Sequence, residues 1–168
     1  MRRDNKERET KMSDYIKYEV RVYKNGNKEW YLNGLYHRED GPAVEYANGD
    51  KFWYVNGKCH RIDGPACEYA NGSKYWCKNG EYHREDGPAI EYDDGAKFWF
   101  LNGKCHRIDG PACEYSNGDK SWYLNGKQYT EAEFKKEISK IAKNSKAPCE
   151  GKIVEIDGKK YTLTSLTK

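Results

Sequence analysis

A repeat of 23 residues governs this chain. All four histidines, His37, His60, His83 and His106, stand at that spacing, and so do all five tryptophans, Trp30, Trp53, Trp76, Trp99 and Trp122. A fixed period of this size marks a stacked array, because one such short unit cannot bury its apolar face alone. The unit is clearest at residues 51–72, KFWYVNGKCHRIDGPACEYANG.

Its punctuation is Asn48-Gly49, then Asn56-Gly57 eight residues on, then Asp63-Gly64-Pro65. Glycine and Asn supply positive φ, and proline cannot donate to a ladder, so the pieces between are short strands. Residues 51–55 are expected to form one strand, 56–64 a structured connector and 65–70 a second strand. Residues 15–23 alternate as a first strand, turning at Asn25-Gly26. Two strands per unit give a meander of roughly nine or ten antiparallel strands. Read as two-residue hairpin turns, Asn25-Gly26 and Asn71-Gly72 set Tyr69 opposite Lys74 and Cys67 opposite Trp76. One face then holds the tryptophans, Val44, Cys67, Ile90, Cys113 and the tyrosines Tyr46, Tyr69, Tyr92 and Tyr115. Lys28, Lys51, Lys74, Lys97 and Lys120 would lie over those tyrosines as a cation–π ladder. The other face carries Ala43, Ala66, Ala89 and Ala112, the ladder Glu45, Glu68, Glu91 and Glu114, and the aromatics Phe52, Tyr54, Tyr75, Phe98 and Phe100. In the outer units the first aromatic slot becomes Glu29 and Ser121, a pattern that suits either capping of the array or a central partner-binding stripe.

Composition narrows the function classes. Thirty Lys and Arg against 27 Asp and Glu leave +3, too balanced for a nucleic-acid polyelectrolyte. No apolar run reaches membrane-spanning length and none follows the N-terminal arginines, so a cytoplasmic protein is expected. Five of the six cysteines replace apolar residues of other units: Cys67 and Cys113 fill the Val44/Ile90 slot, Cys59 and Cys105 the Tyr36/Tyr82 slot, and Cys77 the Tyr54/Phe100 slot. They read as small hydrophobes. The competing reading groups Cys59 and Cys67 with His60, and Cys105 and Cys113 with His106, around a metal, but that spacing matches no CxxC ligand pair. No metal and no cofactor are expected.

The string His-Arg-x-Asp-Gly-Pro-Ala recurs at residues 37–43, 60–66, 83–89 and 106–112. A catalytic constellation is assembled once, from different parts of a fold, so four copies point to turn-building and not to an enzyme. The connectors align Arg38, Arg61, Arg84 and Arg107 along one edge, where a row of guanidiniums is a candidate anion site. YHRED in the first and third units alternates with CHRID in the second and fourth, which implies duplication of a two-unit block.

The termini differ from the array. Residues 1–14 are charged and almost free of apolar side chains, and read as a disordered tail. The array spans 15–129. A helix is expected over 130–145, opened by a Thr130–Glu133 capping box ahead of Phe134, Ile138 and Ile141. Residues 146–168 read as a spacer and a hairpin about Asp157-Gly158, with Val154 and Tyr161 on one face. A helix of about 21 Å cannot cover a sheet about 40 Å wide, so the tryptophan face is expected to need sheet curling, a second copy of the chain or a partner.

The pattern WYxNGxxHRxDGPAxxEYxNG, over about residues 18–129, resembles the variant of the membrane occupation and recognition nexus (MORN) repeat, most of all the HRxDGPA subtype of bacteriophage and large DNA virus proteins. The exit Asn125-Gly126-Lys127 followed by Thr130, Glu131 and Phe134 is similar too. The resemblance implies an elongated, twisted antiparallel β-meander and a non-enzymatic role in contacts with a host or bacterial protein or in dimerisation, with an antitoxin label in some bacterial relatives. The expected partner-binding residues are Phe52, Tyr54, Tyr75, Phe98 and Phe100. A small anion or metal on the connectors, and single-stranded nucleic acid on the aromatic face, are the competing ligand classes.

Overall fold

The computed structural model describes residues 18–145, 153–156 and 159–162. The expected tail over 1–14 lies outside them, as do the spacer after the helix and the turn at 157–158. The described chain is mostly β, an open antiparallel meander followed by one helix.

Each unit has two turn pairs, Asn-Gly in every case but Asp94-Gly95, that perform different jobs, and their difference sets the fold. At Asn56-Gly57 both residues have positive φ, 50° and 74°, so the pair is a two-residue turn that joins Tyr54–Val55 to Lys58–Cys59. At Asn71-Gly72 only the glycine is left-handed, at φ 98°. There Gly72 N–H donates to the Tyr69 carbonyl and Tyr69 N–H to the Ser73 carbonyl, which makes a three-residue loop ending in a glycine bulge. Tyr23 to Asn27 repeats that loop at Asn25-Gly26. The extra residue moves the register by one: Cys67 pairs with Tyr75 and Glu68 with Lys74. Because side chains alternate, a one-residue slip exchanges the faces. The expected pairing of Cys67 with Trp76 is therefore corrected, and with it the membership of both faces.

The expected strand over residues 51–55 also divides. Lys51–Phe52 stays in the main ladder, between Val44–Glu45 and Cys67–Glu68. Trp53 donates its N–H to the Ala66 carbonyl and accepts from His60 N–H, after which Tyr54–Val55 pairs with Lys58–Cys59 in a separate hairpin. The same change of partner at Trp76 and Trp99 gives hairpins at Cys77–Lys78 with Glu81–Tyr82 and at Phe100–Leu101 with Lys104–Cys105. The connector is thus half hairpin. The main sheet has twelve strands, running from Tyr18–Val22 to Lys127–Tyr129, with Leu35–Tyr36 paired to one side of Lys28–Leu32.

One face is now a continuous alternation of Lys28, Glu45, Lys51, Glu68, Lys74, Glu91, Lys97, Glu114 and Lys120, with the tryptophans beyond it. The lysines stand opposite glutamates and not the tyrosines, which corrects the expected Lys–Tyr ladder: Lys28 Nζ lies 3.7 Å from Glu45, while Glu68, Glu91 and Glu114 pair with the connector arginines. Part of the tryptophan face is covered by the chain itself: each of Trp30, Trp53, Trp76 and Trp99 carries the guanidinium of its own unit's arginine, 3.9–4.1 Å from the ring centroid. Beneath them the four alanines of the DGPA string are fully buried.

Trp122 has no such arginine, and the helix Glu131–Ser145 takes its place, with Phe134 buried and Ile138 beside a groove that Trp122 also lines. Its capping box forms as expected: Glu133 accepts from the Thr130 N–H at 2.9 Å and Thr130 Oγ1 accepts from the Glu133 N–H at 3.3 Å. The C-terminal strands Ile153–Ile156 and Lys159–Thr162 pair antiparallel, Val154 opposite Tyr161. No helix among the described residues is long and apolar enough to cross a membrane.

Candidate binding face and thiol cluster

The face opposite the tryptophans is built by the ladder positions Val44, Phe52, Cys67, Tyr75, Ile90, Phe98 and Cys113. The small members are buried. Over them lies one unbroken row of rings, Tyr46, Phe52, Tyr69, Tyr75, Tyr92, Phe98 and Tyr115, each 5.0–5.7 Å from the next and most of them edge to face. Three of the five predicted stripe residues, Phe52, Tyr75 and Phe98, are thus joined by four tyrosines that the expected register places on the opposite side. The glutamate ladder leaves this face. Tyr46, Tyr92 and Tyr115 remain 40–43% exposed, whereas Phe52, Tyr75 and Phe98 are half-buried. Glu29 accepts hydroxyls of Tyr23 at 2.7 Å, Tyr31 at 2.6 Å and Tyr36 at 3.3 Å; burial alone would raise its carboxyl, but these donors hold it below its usual value.

Tyr54 and Phe100 belong to a second row, on the side hairpins. Two backbone bonds tie each hairpin to the next: Gly57 N–H to the Tyr36 carbonyl and Arg38 N–H to the Tyr54 carbonyl, repeated as Gly80 with Cys59 and Arg61 with Cys77. Slots 36 and 54, 59 and 77, 82 and 100, and 105 and 123 are therefore neighbours across unit boundaries. They hold Tyr with Tyr, Cys with Cys, Tyr with Phe, and Cys with Tyr. Ring contacts occupy the aromatic boundaries, Tyr36–Tyr54 and Tyr82–Phe100 each at 5.5 Å. At the Cys59/Cys77 boundary the buried Cys67 of the main ladder joins them, and the three sulfurs lie within 4.8 Å of one another. Cys59 Sγ is 3.5 Å from Cys67 Sγ; Cys105 and Cys113 make the equivalent pair at 3.4 Å, with Tyr123 in the third position.

The thiols depend on one another. The neighbouring Cys59 and Cys67 thiols lower that of Cys77, against the effect of burial. Cys67 is pushed up to about 12: its bond with Cys59 pulls it down, but the bond with Cys77 and burial outweigh that. Cys59 is raised further, first by its bond with Cys67, then by Cys77 and burial. His60 plays no part here, because its Nδ1 accepts the Asn79 backbone N–H at 3.1 Å on the tryptophan side. The grouping of Cys59 and Cys67 with His60 gives way to one with Cys77.

Each arginine of the connector row is engaged by its own unit. Nε donates to Asp40, Asp63, Asp86 or Asp109 at 2.8–2.9 Å, and Nη1 to the proline carbonyl at 3.1–3.3 Å and to Glu45, Glu68, Glu91 or Glu114 at 2.8–3.4 Å. The aspartates are held below the usual carboxylate range by those guanidiniums. In all four histidines Nδ1 lies 2.9–3.2 Å from a backbone N–H of the following Asn-Gly turn, and in His37 it also lies 3.0 Å from Asn56 Oδ1. Between successive connectors run open grooves of 650 to 790 Å³, rimmed by Ile62 and Ile108, which are 89% and 61% exposed. Comparison of the sequence with protein-family models and with curated proteins finds no match.

Proposed function

We propose that this chain is a non-enzymatic repeat protein that binds, and inhibits, a host or bacterial protein through its aromatic face in the cytoplasm. The observation that carries the reading is the seven-ring row from Tyr46 to Tyr115, three of whose tyrosines stay 40–43% exposed, while the opposite face is occupied by its own connectors. Rigid aromatic rings with hydroxyl tips are favoured at protein interfaces because they bury much area at little entropic cost. The non-enzymatic half is supported by the fate of the repeated His-Arg-Asp group, whose members are bound into turns and onto tryptophan rings. The sequence resemblance to phage and large-virus MORN variants favours a host protein as the partner.

The test is a nuclease-treated pull-down with the tagged chain, set beside Tyr46→Arg/Tyr92→Arg/Tyr115→Arg and beside Ile62→Arg on the other side. These tyrosines are the exposed members of the row, and circular dichroism checks that the triple variant, which loses their ring contacts, remains folded. A stoichiometric protein lost with the triple variant and kept with Ile62→Arg supports the face. Retention by the triple variant, or an empty bait, rejects it. Self-association, measured by sedimentation, is then the next reading.

A further inference from the structure

We propose that Cys59, Cys67 and Cys77 form a site for one soft, thiophilic metal cation, bound by three thiolates contributed by two adjacent units. The inference is independent of the protein-binding reading. Sulfurs around a single ion at about 2.3 Å are separated by about 3.7–4.0 Å, whether the arrangement is tetrahedral or trigonal. Three sulfurs all within 4.8 Å, with one pair at 3.5 Å, need only rotamer adjustment to reach that geometry.

The scaffold fixes them from three directions. Cys67 sits in the main ladder between Phe52 and Tyr75. Cys59 and Cys77 come from neighbouring hairpins, joined by Gly80 N–H to the Cys59 carbonyl at 2.8 Å and Arg61 N–H to the Cys77 carbonyl at 3.1 Å. Cys67 and Cys77 are buried and Cys59 is half-buried. An all-sulfur donor set selects soft or borderline ions over Mg²⁺ or Ca²⁺. Binding exchanges protons for the ion: a divalent ion M²⁺ and three thiols give M(S-Cys)₃⁻ and three protons.

The array contains its own control. Cys105 and Cys113 reproduce the pair at 3.4 Å, but Tyr123 stands where Cys77 would be. The second cluster therefore lacks its third thiolate, and Tyr123→Cys supplies it.

The experiment is titration of the reduced full chain, carrying Cys149→Ser to remove the remaining thiol, with Cd²⁺ alone. The readouts are the ultraviolet cadmium–thiolate band and native mass spectrometry. One equivalent is expected for the parent and for Cys105→Ser, affinity at least about tenfold weaker for Cys77→Ser, and two equivalents for Tyr123→Cys. No tight binding by the parent, or binding undiminished in Cys77→Ser, overturns the site. Cys77→Ser is nearly isosteric, so it decides the question alone if Tyr123→Cys fails to fold, and circular dichroism checks that it has folded.

Discussion

Gly87 shows how closely each residue of the connector is specified. A Cβ added there would meet Arg84 Cζ at 2.9 Å, and that guanidinium already lies 4.0 Å from the Trp76 centroid on its other side. The glycine is required for space and not for its dihedral angles. Arginine suits the slot because a planar cation stacks on indole while its fork reaches Asp86, the Pro88 carbonyl and Glu91 together, which lysine cannot do. Gly87→Ala is expected to cost about 1–3 kcal/mol of unfolding free energy through overpacking and loss of the stack. Urea denaturation measures it, and a double-mutant cycle with Arg84→Ala checks the cause. The double variant should cost less than the sum of the singles, and strict additivity would refute the sandwich. The letters of the string are plain in the sequence, but its sandwich is not, because nothing in a linear string says which ring lies over which cation.

The elements were legible to different depths. Repeat period, antiparallel meander, capped helix and C-terminal hairpin all follow from spacing and turn residues. The faces do not, because Asn-Gly serves two loop types that differ by one residue of register, and the sequence of the pair itself is identical. Context carries the distinction: the three-residue loop follows a tyrosine, preceded by Glu in every copy but the first, and its Asn position accepts Asp, as Asp94 shows by capping the Ala96 N–H at 2.9 Å. The two-residue turn holds Asn at φ 48–55° in every unit. Asn56→Ala should therefore cost about 1–2 kcal/mol, the penalty of a left-handed alanine, whereas Asn71→Asp should stay within about 0.5 kcal/mol. Chemical denaturation of the two single variants compares them directly, and equal costs would mean that the two loops do not differ as described. The thiol cluster was partly visible in the same way. Sequence alignment of the units finds Cys59 and Cys77 in aromatic slots, but only hairpin-to-hairpin bonding places those slots side by side.

On the scale of the whole molecule, each unit touches only its neighbours, so stability is a sum of unit and boundary terms. The boundaries are not equal. Deleting residues 70–92 removes one complete period and joins Tyr69 to Asp93, restoring the loop Tyr69-Asp93-Asp94-Gly95-Ala96 and setting Cys67 opposite Phe98 as it was opposite Tyr75. The shortened chain is expected to fold cooperatively with an unchanged β signature per residue, and with a denaturant m-value reduced in proportion to the length removed. It brings Phe100 to Cys59 in place of Cys77, so it also abolishes the third thiolate without touching Cys59 or Cys67. Removal of residues 70–91 instead leaves one extra residue in that loop. A four-residue loop must absorb it to keep the rings in register, and a loop held at three residues would turn the Glu/Lys side to the rings, so the product is expected to be markedly less stable. Circular dichroism and urea titration of the pair decide between an array held by its 23-residue step and one held by composition alone. Similar stability in the two deletions would reject the first.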